Sequence, residues 1–221
     1  YTGGYYHPIE REFMGFRYAA SYQMRDASTY ESKTETWYHQ DITCKGMIEA
    51  ERTTSFEGHT RQVNNTWATG TMAGGVTYPY LHTVQSTVTD SGYAPYTYAI
   101  DYEYDTTYLN VTREYKYGTT EDEDVDTSFA YTNYTGPWII AKPTEVKVRD
   151  ASGSIKSSKW MTYHSTTGNL LAEEVCKSDT PASGCVVSNP SQNPVVTYQY
   201  TTEGNVSSVT DPLNHPPTTY T

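Results

Sequence analysis

The stretch YEYDTTYLNVTREYKYG (Tyr102–Gly118) places an aromatic strand before a small polar turn that carries Asn, with an apolar β-former directly after the Asn. Two further stretches repeat this order: MTYHSTTGNLLAEEV (Met161–Val175) and TYQYTTEGNVSSVTDPLN (Thr197–Asn214). An internal repeat indicates that one supersecondary unit is stacked several times along the chain. We therefore expect function to lie in the assembled sheet rather than in a pocket of one repeat.

The composition favours strands over helices. The chain of 221 residues has 23 Tyr against 4 Phe and 4 Trp, and both Tyr and Thr favour pleated, half-buried surfaces. No stretch combines a 3.6-residue apolar stripe with helix caps. The sequence predicts an all-β fold in which β-hairpins stack into a large curved or spiralling antiparallel sheet, with thin hydrophobic layers rather than one deep core.

Alternation of apolar and polar residues with a period of two locates the strands. In the first repeat it predicts a hairpin of Thr97–Tyr104 and Val111–Tyr117, and Asp150–Gly153 is a predicted turn. Further predicted strands are Tyr18–Met24, Thr34–Gln40, Thr53–Phe56, Gln62–Trp67, Leu81–Thr89, Thr144–Val148, Lys156–Tyr163, Leu170–Cys176, Val195–Tyr200 and Val206–Thr210. We divide the chain into an N-terminal part, residues 1–95, and continuous repeat strands, residues 96–221.

The recurring Asn has a backbone explanation. Asn and Gly tolerate positive φ better than other residues, and tight hairpins require it. Gly168-Asn169 and Gly204-Asn205 are therefore predicted turn pairs. In the first repeat Leu109 precedes Asn110, and Leu at positive φ is strained. We expect that turn either to differ in length or to place only Asn110 at positive φ.

Charge narrows the classes of partner. The net charge is −11 and the sequence pI is about 4.9, which argues against binding to nucleic acid or to anionic lipid. No apolar run approaches the ~20 residues of a membrane span. The chain opens on Tyr1 and stops at Thr221 in mid-pattern, so we expect it to be a fragment of a longer protein.

Two of the three cysteines, Cys176 and Cys185, flank a polar loop of turn-forming residues. Cysteines at the feet of a hairpin can reach disulfide geometry, so this pair is a possible disulfide in an oxidising compartment. Cys44 has no evident partner and is interpreted as a small buried apolar residue.

The sequence offers no catalytic, cofactor-binding or metal-binding set. The acidic block Glu121–Asp124 lacks the spaced ligands of a calcium loop, and a solvated hairpin tip is favoured. The six histidines show no ligand spacing, and no nucleophile elbow or phosphate loop is present. An enzyme is the least favoured class. Aromatic ladders could stack on sugars, but cross-strand pairing within a sheet is favoured.

The repeats resemble the YD repeats of the Rhs/YD-repeat superfamily, whose signature is Tyr-Asp, a short spacer, Gly-Asn, and then Leu or Val. His164 and Thr201 replace the Asp in the second and third repeats, and Leu109 replaces the Gly in the first. The residues that carry this resemblance are Tyr104, Asp105, Asn110, Tyr163, Gly168, Asn169, Tyr200, Gly204 and Asn205.

An upstream stretch, YHPIEREFMGFRYAASYQ (Tyr6–Gln23), resembles the segment in the B components of Tc toxins and in SpvB-like toxins where a propeller gives way to the Rhs shell. The matching residues are Arg11, Glu12, Phe13, Gly15 and Phe16. The resemblance implies that residues 1–95 are the N-terminal part of such a shell. No self-cleavage residue of the family can be carried over to this chain.

The resemblance also implies a function. In that family the repeats form a hollow cocoon around a toxic C-terminal domain. This chain would then be a structural, non-catalytic segment of a secreted or cell-surface bacterial toxin, without a cofactor. Its partners would be the remainder of its shell and the enclosed toxin domain. The alternative is an extracellular adhesion or fibre-forming β-repeat protein that self-associates, as a homo-oligomer, through exposed strand edges.

Overall fold

The computed structural model describes residues 1–71, 75–119, 124–176, 195–212 and 215–220. Within these ranges the backbone forms only strands, turns and irregular links, so the all-β prediction is confirmed. The strands are β1 (Thr2–His7), β2 (Glu12–Met24), β3 (Tyr30–Tyr38), β4 (Ile48–Ser55), β5 (Thr60–Thr71), β6 (Thr77–Thr89), β7 (Tyr96–Tyr104), β8 (Val111–Tyr117), β9 (Val125–Tyr134), β10 (Ile139–Asp150), β11 (Ile155–Tyr163), β12 (Leu170–Cys176), β13 (Val195–Tyr200), β14 (Val206–Thr210) and β15 (Thr218–Thr219).

These strands belong to one 15-stranded antiparallel sheet whose spatial order is the order of the chain, from β1 to β15. Consecutive strands of an antiparallel sheet can be joined by short hairpin connections, and no crossover is needed. The prediction of stacked β-hairpins is therefore confirmed. The predicted curvature of the sheet stays a prediction.

Periodicity located most strands, and it was weakest near the N-terminus. β12, β13 and β14 have the predicted bounds. The predicted strand Thr34–Gln40 runs too far, because His39 leaves the ladder and its backbone N–H donates to Met47 O at 2.9 Å. β1, β9 and β15 are strands that the periodicity did not identify.

The chain divides into two compact units. The first contains Tyr1–Tyr102 and Lys116–Glu121, and the second contains Glu103–Tyr115 and Asp122–Thr221. In the first unit β5 and β6 form a long ladder, from the pair Thr60–Thr89 to the pair Thr71–Thr77. The division proposed at residues 95 and 96 stays a prediction.

In the second unit, the ladder of β9 and β10 is interrupted by two irregularities. Ala141 has a φ of 64° at the first, and Pro143 lies beside the second. Proline has no N–H to give to a ladder and is tolerated in strands at bulges. Strand β10 therefore stays paired with β9 although the regular hydrogen bonding is interrupted next to Pro143.

The sheet has very little deep core. Among the described residues the buried hydrophobic ones are Met14, Cys44, Ala99 and Met161, and the buried polar ones are Glu35, Ser86, Ser158 and Ser208. Most other side chains in the strands are half-buried. This agrees with the thin hydrophobic layers expected from a Tyr- and Thr-rich composition. Across the described residues, no helix has the length and apolar character needed to cross a membrane.

Cys44 is buried, as expected, at 7% exposure. Its burial, together with the nearby carboxylate of Asp41, raises the pKa of the thiol. The possible disulfide between Cys176 and Cys185 lies outside the described residues, since neither the side chain of the first nor any part of the second is described. The acidic block lies outside them as well, apart from Asp124.

Candidate functional site: the repeat turns

The first repeat turn is closed by the carboxylate of Asp105. Its Oδ1 accepts the backbone N–H groups of Thr107 at 2.9 Å and Tyr108 at 2.6 Å, and its Oδ2 accepts that of Asn110 at 2.9 Å. The backbone N–H of Asp105 donates to Asn110 O at 2.9 Å. Burial alone would raise the pKa of Asp105, but the bonds from these backbone N–H groups outweigh it and lower the pKa.

The second repeat turn uses a histidine for the same purpose. The backbone N–H of His164 donates to Asn169 O at 2.8 Å. The ring Nδ1 of His164 accepts the backbone N–H groups of Thr166 at 3.4 Å and Thr167 at 3.3 Å. An Nδ1 that accepts is unprotonated, so the neutral ring carries its proton on Nε2.

In the third turn a threonine takes this position. The backbone N–H of Thr201 donates to Asn205 O at 2.8 Å, and its Oγ1 accepts the backbone N–H of Asn205 at 3.3 Å. The Asp of the YD signature is therefore a turn cap, and the two departures from it keep an acceptor there. They do so with fewer and longer hydrogen bonds than Asp105 makes.

The expectation for the first turn was wrong. Leu109 itself adopts positive φ, at 61°, and Asn110 does not. The first turn has the same length as the second, since six positions separate Tyr104 from Asn110 and Tyr163 from Asn169, and it is one residue longer than the third, from Tyr200 to Asn205. The strain at Leu109 is offset by the three backbone bonds to Asp105, the strongest cap of the three turns.

Positive φ therefore belongs to the residue before the Asn in all three repeats. Gly168 has a φ of 70° and Gly204 a φ of 88°. What the Asn supplies to every turn is its backbone carbonyl, which accepts the N–H of the residue after the repeat Tyr. Its side chain is not used for this, and the Nδ2 of Asn110 is buried without a hydrogen-bond partner among the described residues.

The two glycines differ in their surroundings. A Cβ built on Gly168 would lie 2.8 Å from Cγ2 of Ile139, whereas a Cβ on Gly204 would meet nothing within 4 Å. The second turn therefore packs closely against the start of β10, and the third turn is open. Both positions require positive φ, but only Gly168 also requires the absence of a side chain.

Tyrosine hydroxyls connect neighbouring hairpins at these turns. The hydroxyl of Tyr131 donates to Val111 O at 2.8 Å, and that of Tyr200 donates to Leu170 O at 2.9 Å. In both cases the accepting residue directly follows the turn Asn and begins a strand, and the donor lies near the end of the next strand. We call these contacts the tyrosine latches. Tyr131 was missed by the sequence reasoning because it belongs to no YD signature.

The upstream motif forms the hairpin of β1 and β2 in the first unit. Arg11 adopts a φ of 53° in the link, and Glu12 forms an ion pair with Lys45. Phe13 and Phe16 pack edge to face with ring centroids 5.4 Å apart, and both are nearly half exposed. Gly15 has a φ of 92°, and its carbonyl accepts a bond from the Gln40 side chain at 3.0 Å.

A buried ion network in the first unit escaped the sequence reasoning. Glu35 on β3 is 6% exposed, and its Oε2 accepts two bonds from Arg52, at 3.1 Å from Nε and 2.6 Å from Nη2. Its Oε1 accepts from Lys33 at 2.7 Å and Tyr18 at 2.8 Å. The bonds from Lys33 and then Arg52 outweigh burial and lower the pKa of Glu35 to about 2.

The signal for this network was present in the sequence. Lys33, Glu35 and Trp37 alternate in KTETW, so they share one face of a strand. The guanidinium of Arg52 lies 5.7 Å from the ring centroid of Trp37. Lys33 and Glu35 carry opposite charges on the same face of the strand as Trp37. This pattern predicts a positively charged residue opposite Glu35 on the neighbouring strand.

A second charged group in the other unit is more exposed. Arg113 on β8 donates to Asp126 on β9 at 2.8 Å and to Glu103 at 3.1 Å. Arg149 on β10 in turn donates to Ser128 at 2.9 Å. Neither this group nor the one around Glu35 is arranged as a metal site, and the described residues contain no cluster of three His, Cys, Asp or Glu suited to a metal.

Comparison with known proteins gives similarity in structure only. No protein-family model and no curated protein matches the chain. The chain is similar to Tc toxin structures. One is a Tc holotoxin pore from Photorhabdus luminescens, with 14% identity and a TM-score of 0.41, covering 86% of this chain and 11% of that chain. Another is a TcdB2–TccC3–Cdc42 complex, with 8% identity and a TM-score of 0.43, covering 95% of this chain and 15% of that one.

Proposed function

We propose that this chain is a structural, non-catalytic segment of a bacterial Rhs/Tc-type toxin shell, which encloses and delivers a toxic C-terminal domain. The observation that carries the proposal is the strand order, in which each inner strand lies between its two neighbours in the chain. In such a sheet both edges of each inner strand are paired with a neighbouring strand. A wall of this kind can separate an enclosed polypeptide from the surrounding solution.

The repeat turns support the proposal. They are the residues on which the resemblance to YD repeats rests, and each turn is stabilised by hydrogen bonds to its own backbone. The tyrosine latches join one hairpin to the next at the same relative position in two repeats. A repeated joint of this kind suits a wall that extends by adding hairpins.

The proposal also implies which partners the chain has. The partners would be the remainder of the shell and the enclosed toxin domain, outside the cell that makes them. A net charge of −11 suits a soluble particle that must avoid nucleic acid and anionic membranes. No cofactor is needed for containment.

Limited proteolysis of the full-length protein that carries this segment tests containment. We expect the C-terminal domain to survive at protease concentrations that degrade the same domain expressed alone. Complete digestion of that domain while the β-shell stays intact would contradict the proposal.

The alternative, an adhesion or fibre-forming β-repeat protein, is favoured by exposed aromatic side chains on strand β1. Within the sheet β1 has β2 as its partner, and Tyr5 and Tyr6 on it are 41% and 58% exposed. Open strand edges invite pairing between chains. A concentration series in size-exclusion chromatography distinguishes the two hypotheses, because a fibre-forming protein elutes earlier as its concentration rises. A strictly monomeric profile would count against the fibre-forming alternative.

A further inference from the structure

A groove in the second unit lies between the second and third repeat turns. It has a volume of about 490 Å³, and its walls include His164, Thr167, Asn169, Tyr198, Thr201 and Ser207. That volume falls within the ~300–1,000 Å³ usual for small-molecule sites. The lining residues come from the second and third repeat turns and from strands β12, β13 and β14.

The groove is polar but uncharged. None of the described residues that line it is Asp, Glu, Lys or Arg, although these make up 19% of the chain. The lining instead supplies two amides, an imidazole, hydroxyls and phenols. Desolvating such groups costs less than desolvating an ion, and each can either donate or accept a hydrogen bond.

Several of these groups are not used by the fold. The hydroxyl of Tyr200 is taken by its latch to Leu170, and the Nδ1 of His164 by the turn. Within the described part of the chain, the hydroxyl of Tyr198 and the side-chain amide of Asn169 make no hydrogen bond, and the Nε2–H of His164 is likewise not engaged. Leu171 adds an apolar surface that is 37% exposed.

The first repeat provides a matched groove with different chemistry. It has a volume of about 300 Å³ and is lined by Asp105, Asn110, Phe129 and Tyr131, among others. Tyr131 corresponds to Tyr200, since both latch onto the residue after the turn Asn. Phe129 then corresponds to Tyr198, each lying two residues before the latching Tyr. The smaller groove thus holds a carboxylate, and Phe129 brings no hydroxyl to the position that Tyr198 occupies in the larger groove.

We propose that the larger groove binds a neutral saccharide. A pyranose ring has an apolar C–H face that suits Leu171 and the rings of Tyr198 and Tyr200. Its hydroxyls each donate and accept, which matches the unused groups of Asn169, Tyr198 and His164. This binding is independent of the shell function, since it needs the two turns but no enclosed domain.

Saturation-transfer NMR on this chain with cellobiose, maltose and lactose tests the proposal, followed by titration of whichever sugar responds. We expect saturable binding with a Kd of about 1 mM for at least one of them. Asn169→Ala and Tyr198→Phe should each weaken it about fivefold, the cost of one net hydrogen bond. Both changes leave the backbone bonds of the turn and the latch in place.

Asn110→Ala is the matched control, because it makes the equivalent change in the smaller groove. It should leave saccharide affinity unchanged, and all three variants should keep the circular dichroism spectrum of the parent chain. The proposal is overturned if none of the sugars binds at about 20 mM. It is equally overturned if Asn110→Ala weakens binding as much as Asn169→Ala, or if glucose 6-phosphate binds more tightly than the neutral sugars.

Discussion

At the scale of single residues, the three repeats solve one backbone problem with different side chains. Each turn needs a residue at positive φ before the Asn and an acceptor after the Tyr. The first repeat combines the least suitable residue for positive φ, Leu109, with the strongest cap, Asp105. The second and third repeats use Gly at positive φ and weaker caps, His164 and Thr201.

Leu109 allows a direct test of backbone strain. Leu109→Gly and Leu109→Ala both remove the same apolar side chain, so their difference isolates the backbone. At ordinary strand positions a protein with Gly is less stable than the same protein with Ala by about 0.5–1 kcal/mol. With a φ of 61° we expect the reverse, with Leu109→Gly more stable than Leu109→Ala by about 1 kcal/mol in urea unfolding. Equal stability would show that this φ carries no strain.

At the scale of elements, each hairpin is fixed at its turn and by a latch to its neighbour. The tightness of that fit varies along the sheet. Gly168 is pressed against Ile139, while Gly204 faces open space. The strand pairs that the latches join are β8 with β9, and β12 with β13.

The two turn glycines form a matched pair of variants. At either position, Ala at positive φ lowers the free energy of unfolding by about 1–2 kcal/mol. Gly168→Ala must also displace Ile139, and overpacking adds about 1–3 kcal/mol. We therefore expect Gly168→Ala to lower the free energy of unfolding clearly more than Gly204→Ala. Similar losses for both would show that β10 moves aside at little cost.

The latch at Tyr200 can be tested by removing one hydroxyl. Tyr200→Phe deletes the donor to Leu170 O and should destabilise the chain by about 0.5–1.5 kcal/mol. Tyr198→Phe removes a hydroxyl from the same strand that makes no bond within the described residues, and should cost about 0 kcal/mol. Thermal melts of both variants provide the comparison. Equal changes in melting temperature would show that the hydrogen bond from Tyr200 does not stabilise the chain.

How far the sequence predicts this structure depends on the kind of contact. Period-2 alternation fixed β12, β13 and β14, because a strand with two different faces must alternate. It did not find β9, which follows the acidic block, or β1, whose residues are nearly all exposed. The latch of Tyr131 to Val111 joins residues 20 positions apart, and only knowledge of which strands are neighbours reveals it.

In the candidate site as well, local features could be predicted from the sequence and contacts between distant residues could not. The turn positions were predicted, because Gly and Asn have local conformational preferences. The residue at positive φ in the first turn was predicted wrongly, because the cap of Asp105 overrides the preference of Leu109. The larger groove could not be predicted, since it needs the second turn to lie beside β13 in space.

At the scale of the whole molecule, lowered carboxyl pKa values recur along the sheet. Asp26, Asp105 and Asp150 each accept backbone N–H groups within a turn and have a lowered pKa, and so does the buried Glu35. A carboxyl with a lower pKa in the folded state stabilises the fold above its unfolded pKa, and this stabilisation is lost as pH falls through the folded value. The molecule should therefore be stable at neutral pH despite its net charge of −11.

Acid unfolding tests this on Glu35. We expect the free energy of unfolding to fall as pH drops from about 4.5 towards 2, the interval between the ordinary and the lowered pKa of Glu35. Glu35→Gln removes the titrating group, so the variant should be less stable at pH 7 and lose less on acidification. An unchanged slope between pH 4.5 and 2 in the variant would assign acid sensitivity to other carboxylates.

The agreement between spatial order and chain order also bears on how the protein is made. Each strand finds its first partner in the strand synthesised immediately before it, so no loop has to close around an intervening strand. The sheet can grow by one strand at a time as the chain leaves the ribosome, without waiting for a distant segment. At every moment of synthesis the newest strand is the growing edge, and the next strand to emerge covers it.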